Sequence, residues 1–303
     1  MFRVRFTLAA LLLAASGAVA PLAVSAQIPS ALVPEMKDLP PLQTAEVFGR
    51  HIAYYEAGTG PTLVLVHGFA SQARFDWGRV LGPLAQHHHV IALDQIGFGH
   101  SDKPVIDYRV QTFVDFLGEF LRVKGITRFD LAGESLGGWI VTNYTLQALS
   151  PENHGPYAVP VPRRLILEDA AGHKAISGRV TVAGSLEEAH GVAIVFHDKS
   201  LVTDAFARQT WEMKLEANDG LTEQMLTSNP KLAQETVQGK LQNLSIPTLV
   251  VWGEKDEIVP VADGHDYAEK IPHAQLVLVP ECGHAPSIEK PQAFLDAVES
   301  FLR

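Results

Sequence analysis

Cysteine is nearly missing from this sequence: Cys282 is the one thiol in 303 residues. No intramolecular disulfide can form, and a four-thiolate zinc site has too few ligands. Basic residues are short as well, with 24 Lys and Arg against 34 Asp and Glu and a net charge of −10. A nucleic-acid-binding surface needs a basic stripe, and this balance argues against one. Charged residues reach only 19% while apolar ones reach 47%, so the chain can bury a core and does not read as disordered. There is no internal repeat and no low-complexity tract beyond the N-terminal stretch. Length alone allows one large α/β domain or two smaller ones.

The first 26 residues contain no acid and two charges, Arg3 and Arg5. Phe6 to Ala26 is an uncharged, Leu- and Ala-rich run, the layout of a secretory signal peptide. Of two small-x-small sites, Ala18-Val19-Ala20 is followed by Pro21, which hinders cleavage, so the cut is expected between Ala26 and Gln27. The alternative is an uncleaved anchor, because 21 residues can just span a bilayer. No Cys follows the run to take a lipid, and no paired Arg marks a twin-Arg route. Cleavage removes both arginines and takes the charge from −10 to −12. The expected product is exported, periplasmic or secreted, with no stable membrane partner.

Residues 27–43 hold four prolines and read as an extended lead-in. Beyond them β-like and helix-like segments alternate. Ala45–Gly49 and His51–Ala57 suggest a hairpin. Apolar runs follow at Thr62–Val66, Val90–Leu93, Phe129–Ala132, Leu165–Leu167, Thr248–Trp252 and Leu276–Val279. Runs without alternation are what strands buried on both faces look like. Helical spacing appears at Thr112–Val123, Ser135–Leu149 and Pro291–Leu302. This pattern predicts an α/β fold with a mostly parallel, eight-stranded sheet and flanking helices. From about 172 to 240 the alternation stops. Helical stretches at Ser185–Ala193, Asp198–Leu215 and Leu221–Leu226 suggest an inserted cap within a domain spanning 44–303, since the segment far exceeds an ordinary crossover loop.

Gly133-Glu-Ser135-Leu-Gly137 is a G-x-S-x-G between a strand and a helix. Such an elbow exposes the serine oxygen on a sharp turn, and the glycines avoid collision with neighbouring backbone. A serine hydroxyl needs a base, and the base an orienting acid. His284 and Asp256 each lie just past a predicted strand, the edge where open parallel sheets bind ligands. Asp169 ends an earlier strand and is the rival acid. Glu134 adjoins the serine, with a side chain expected to point elsewhere. His67 reads as a structural residue, the His87–His89 run as a surface loop, Cys282 as a half-buried thiol, and Asp94 and Ser101 as loop-fixing groups. Trp139 and Trp211 fit either core or pocket wall.

Taken together, His67-Gly-Phe69, the segment Asp94 to Asp102, Gly133 to Gly137, Gly253-Glu-Lys-Asp256 and Gly283-His284 resemble the α/β-hydrolase family in the order it uses them, from about Val47 to Leu302. The resemblance implies Ser135 as nucleophile, His284 as general base and acid, and Asp256 as orienting acid. It also implies an oxyanion hole of the backbone N–H groups of Phe69 and Leu136, and a helical cap at the insertion. No organic cofactor and no metal is implied, and the expected partner is a small-molecule substrate.

Family dehalogenases and epoxide hydrolases resemble this chain elsewhere but use a carboxylate where Ser135 stands. The serine favours acyl transfer, with a small or medium carboxylic ester as the leading substrate. The alternative is a carbon–carbon bond hydrolase of ring-cleavage products, which the cap segment Leu201 to Phe206 resembles. Against it, Phe69-Ala-Ser-Gln-Ala replaces the glycine-rich stretch such enzymes carry after His-Gly. A ligand-binding protein that kept the fold is the third reading.

Overall fold

The computed structural model describes residues 39–156, 158–177 and 182–303. The signal-peptide expectation and the lead-in through residue 38 lie outside the described residues. No helix among the described residues is long and apolar enough to cross a membrane.

The apolar runs form eight strands: β1 (Gln43–Val47), β2 (Arg50–Ala57), β3 (Thr62–Val66), β4 (His89–Leu93), β5 (Phe129–Glu134), β6 (Leu165–Glu168), β7 (Thr248–Gly253) and β8 (Gln275–Val279). They make one sheet in the order β1-β2-β4-β3-β5-β6-β7-β8. β1 and β2 pair antiparallel, as does β2 with β4, and all other pairs are parallel. Helices cover both faces: α1 (Ala73–Asp76), α2 (Leu81–Leu84), α3 (Val110–Val123), α4 (Leu136–Leu149), α5 (Leu186–Ala189), α6 (Asp204–Ala217), α7 (Gly220–Thr227), α8 (Val261–Lys270), α9 (Pro286–Glu289) and α10 (Pro291–Leu302).

The strands lack alternation because each sheet face has its own core. On one, α3 (Phe113, Leu117, Phe120, Leu121), α4 (Trp139, Ile140, Tyr144) and Tyr267 of α8 cover Val64, Leu131 and Val250. On the other, α2 (Leu81, Leu84) and α10 (Phe294, Val298, Leu302) cover Leu63, Ile166 and Val251. Parallel register pairs Val66 with Gly133, Glu134 with Glu168, and Gly253 with Val279. The strands therefore end along one edge, and the residues that follow them meet there.

Between β6 and β7 lies the helical insertion, built differently from its expectation. Ser185–Ala193 is a four-residue α5 followed by a 3-10 turn at His190–Val195. Gly191 and the β-branched Val192, Ile194 and Val195 weaken a continuing α-helix. The stretch expected at Asp198–Leu215 opens with a 3-10 turn at Lys199–Leu201, and α6 starts only after Thr203, whose hydroxyl caps the Phe206 N–H. A small core of Phe196, Val202, Phe206 and Ala207 seats this insertion on Ala285 and Ile288.

Candidate active site

Ser135 sits between β5 and α4 with φ +50°. A non-glycine residue held there is strained, and the surrounding packing enforces it. A Cβ on Gly133 would come within 2.4 Å of the Gly137 carbonyl oxygen, and one on Gly137 within 2.1 Å of the Val66 oxygen. The glycines are thus required by how tightly α4 folds back over the sheet.

The edge brings the three separated residues together. His284 Nε2 is 2.8 Å from Ser135 Oγ, and His284 Nδ1 is 2.7 Å from Asp256 Oδ2. The other Asp256 oxygen accepts the Ile258 and Val259 N–H groups at 2.7 and 2.9 Å. A carboxylate with only acceptor roles fixes the tautomer: Nδ1 carries the proton, and Nε2 is left to accept from Ser135. His284 itself is anchored by its N–H to the Val195 carbonyl, 2.7 Å away in the insertion.

Other acids crowd the same edge. Asp169, the rival acid, lies against Asp256, with carboxylate oxygens of the two within 4.8 Å of each other. Asp169 also accepts the Gly253 N–H at 2.9 Å. Burial, then the Asp256 charge, hold the Asp169 carboxyl far above the usual range. Glu168 accepts the Ser287 N–H at 2.6 Å, and burial pushes its pKa up to about 8.

Glu134 corrects an expectation. Its side chain does not point elsewhere: Oε1 is 3.4 Å from His284 Nε2. The sharp turn at Ser135 lays the preceding side chain against Gly68, where a Cβ would be 2.0 Å from Glu134 Oε2. Burial, then Asp76 and Glu168, raise its carboxyl well above the ordinary glutamate range.

The loop after β3 forms the facing wall. Asp76 Oδ2 accepts the Gly68 N–H at 2.7 Å, and Oδ1 accepts from Ser71 Oγ. His67 is fully buried, with Nδ1 2.8 Å from the Gly68 oxygen and Nε2 accepting the Gln95 N–H at 3.0 Å. Asp94 accepts the Ala73 and His100 N–H groups, and Ser101 Oγ donates to the Asp94 carbonyl. These are the structural roles expected of them. Leu136 is the first residue of α4, so its N–H has no helical acceptor. Neither it nor the Phe69 N–H donates to a protein acceptor among the described residues.

Above this wall lies a cavity of about 530 Å³, lined by Phe69, Phe75, Ile176, Val192, Trp211 and Met213 among others. Trp211 is pocket wall, its indole N–H on the Ala183 carbonyl at 2.8 Å. Trp139 is core, fully buried and bonded to the Glu235 carbonyl. Among the described residues the cavity's ionisable lining is Glu188, Lys214, Asp219 and Glu223, and Lys214 pairs with both Asp219 and Glu223. Glu289, which the sequence did not single out, accepts the N–H groups of Gly283, His197 and Asp198. It ties the histidine loop to the insertion.

Two smaller expectations change. Cys282 is fully buried, not half-buried, in the core under α10. His88 is buried against Glu299 and His89 opens β4 against Glu56, so only His87 of that run is exposed. Asp169, Asp256 and His284 bring ligand-type atoms within 4.8 Å of one another. An ion between them would have to displace the His284–Asp256 hydrogen bond. The chemistry the geometry suits is movement of a proton off a buried hydroxyl toward an imidazole.

A model of the alpha/beta hydrolase family matches residues 63–297. The chain is 28% identical over 270 residues to the 2-hydroxy-6-oxo-6-(2'-aminophenyl)hexa-2,4-dienoic acid hydrolase of Metapseudomonas resinovorans, covering 84% of this chain and 88% of that one. It is 28% identical over 273 residues to Lipase 1 of Psychrobacter immobilis, covering 84% and 81%. A meta-cleavage product hydrolase of Pseudomonas fluorescens IP01 superposes with a TM-score of 0.75 at 24% identity, over 86% of this chain and 97% of that one, which shows the shared fold.

Proposed function

Because the chain belongs to the alpha/beta hydrolase family, we propose that Ser135, His284 and Asp256 hydrolyse a small substrate at a carbonyl carbon. The carrying observation is the unbroken hydrogen-bond line from Ser135 Oγ through His284 to Asp256, at 2.8 and 2.7 Å. His284 Nε2 takes the hydroxyl proton as Ser135 Oγ adds to the carbonyl, and Asp256 stabilises the imidazolium. Negative charge then gathers on the carbonyl oxygen, where the Phe69 and Leu136 N–H groups stand ready to receive it. His284 returns the proton to the leaving group. Water, deprotonated by the same imidazole, releases the acyl group from Ser135.

Two bond classes meet these demands. We place first a carbon–carbon bond beside a ketone, in a ring-cleavage-type keto acid, ahead of the carboxylic ester that the sequence favoured. The 2-hydroxy-6-oxo-dienoic acid hydrolase among the relatives supports that order. There the proton from His284 goes to the departing carbon. One observation favours the ester instead. Lys214 is the one cation among the described residues of the cavity lining and is committed to Asp219 and Glu223, so a substrate carboxylate finds no uncommitted cation among those residues. The lipase relative points the same way.

A fluorophosphonate probe should label the wild type and not Ser135→Ala. Labelling that survives the substitution removes Ser135 as nucleophile, and a folded but unlabelled wild type favours a ligand-binding protein. Turnover of a 2-hydroxy-6-oxo-dienoic acid above that of every p-nitrophenyl ester supports the first bond class. No turnover of the keto acid, with a clear acyl-length preference among the esters, supports the second. Export belongs to the same proposal, and mass spectrometry of the exported protein should find Gln27 at its N-terminus.

A further inference from the structure

Glu134 is 5% exposed, directly precedes Ser135, and reaches the His284 nitrogen that serves Ser135. Its carboxyl and that of Asp76 both pack on Gly68: a Cβ there would lie 2.0 Å from Glu134 Oε2, and the Gly68 N–H lies 2.7 Å from Asp76 Oδ2. Two carboxyl groups buried against one residue repel unless one carries a proton. Asp76 already accepts the Gly68 N–H and the Ser71 hydroxyl, so the proton belongs on Glu134. The groups facing Glu134 are Asp76 of α1, Glu168 and Asp169 at the end of β6, and His284 after β8. Three of the four are acids, so among these groups His284 alone could balance a second negative charge here.

We propose that Glu134 is a positioning residue acting as a neutral acid: it keeps its proton beside Asp76, which fixes the loop carrying the Phe69 N–H, and it presents an uncharged oxygen to His284. The inference rests on the triad reading above. Neutrality matters because of what His284 must do next. Once Nε2 has taken the serine proton, that proton has to travel to the leaving group. A full carboxylate 3.4 Å away would hold it in an ion pair. A carboxylic acid supports the imidazole without competing for its proton. Losing the Glu134 proton also sets a second negative charge beside Asp76, the residue that holds the Gly68–Ser71 loop.

The test compares Glu134→Gln with Glu134→Ala across a pH series. Gln keeps the shape and the uncharged oxygen. The Ala variant should lose about tenfold or more in kcat with little change in KM, and Gln should restore it to within about threefold, in the range of general acid–base effects. The wild type should lose kcat on the alkaline side as Glu134 ionises, and the Gln variant should not. Circular dichroism checks folding, and Gln carries the test if the Ala variant does not fold. A Gln variant as slow as Ala at neutral pH overturns the proposal, as does a pH profile unchanged by the Gln substitution. The Ser135→Ala control separates the two levels. Fluorophosphonate labelling that persists in it defeats the triad reading. Normal dependence on Ser135 with no rescue by Gln defeats only the role of Glu134.

Discussion

The sheet edge and the helical insertion are built on different principles. The sheet edge holds Ser135 and the acids at strand ends whose register is set by continuous backbone pairing. The helical insertion joins α6 and α7 to short 3-10 turns around a small core, seated on the edge through Ala285, Ile288 and Glu289. The edge has a unique geometry enforced by strain and glycine contacts. The insertion offers mostly shape. The difference implies that chemistry resides in the first and substrate choice in the second, and substitutions on each side can break that division.

The largest expected effect is on the edge. Ser135→Ala should lower kcat by about 10⁴-fold or more, because residues that act as a unit are lost as a unit. Steady-state kinetics with circular dichroism checks this. Residual turnover near the wild-type rate would move the nucleophile elsewhere.

A second test of the edge is its response to pH. Glu168 has an ordinary unfolded pKa of about 4.3, and burial pushes it up to about 8 in the folded protein. Between those values the folded state keeps a proton that the unfolded chain releases. Stability from this group is therefore full below about pH 4 and is lost as pH rises through about 8. Glu134 and Asp169 are shifted in the same direction. Glu168 alone contributes on the order of 5 kcal/mol across that window. The melting temperature should fall from pH 5 to pH 8.5, and Glu168→Gln should flatten the fall, since an amide oxygen can still accept the Ser287 N–H. An equal fall in the variant would rule Glu168 out as its source.

Glu289 joins the edge to the insertion, so its loss should register on both. Glu289→Ala leaves the Gly283, His197 and Asp198 N–H groups without their acceptor. A cost of about 3 kcal/mol is expected. A drop of about tenfold in kcat should accompany it, because a displaced histidine loop loses near-attack geometry. Denaturant titration and kinetics measure the two effects. Loss of stability with unchanged kcat would show that His284 is held by the Val195 carbonyl alone.

How legible each part was follows from the same physics. Doubly buried strands are apolar at nearly every position, so β3 and β7 stood out within a residue of their ends. The elbow and the strand-end placement of His284 and Asp256 were readable because each rests on a local pattern. Glu134 was misread because its direction depends on the turn at Ser135 and on the missing side chain of Gly68, 66 positions earlier. One signal was there: adjacent strands end in acids, Glu134 beside Glu168. The insertion was legible as helical and poorly legible in detail. Its turns are short and held by partners such as Glu289 that lie far along the chain. Cys282 and His88 were placed too near the surface for the same reason, since α10 covers the one and Glu299 the other.

The smallest effect belongs to the shape-giving insertion. Trp211 lines the cavity from α6 with its ring and spends its N–H on the Ala183 carbonyl. Trp211→Ala enlarges the cavity and removes none of the hydrogen bonds that hold the His284–Asp256 pair. Binding of bulky acyl groups should weaken most, because they lose apolar contact with the ring, with KM rising by about three- to tenfold. Substrates too short to reach the ring should show a smaller change, and kcat should move less than KM. An ester chain-length series on the variant reads both. If kcat instead collapsed for every substrate alike, the insertion would be shaping the reacting geometry itself, and the division of labour between edge and insertion would fail.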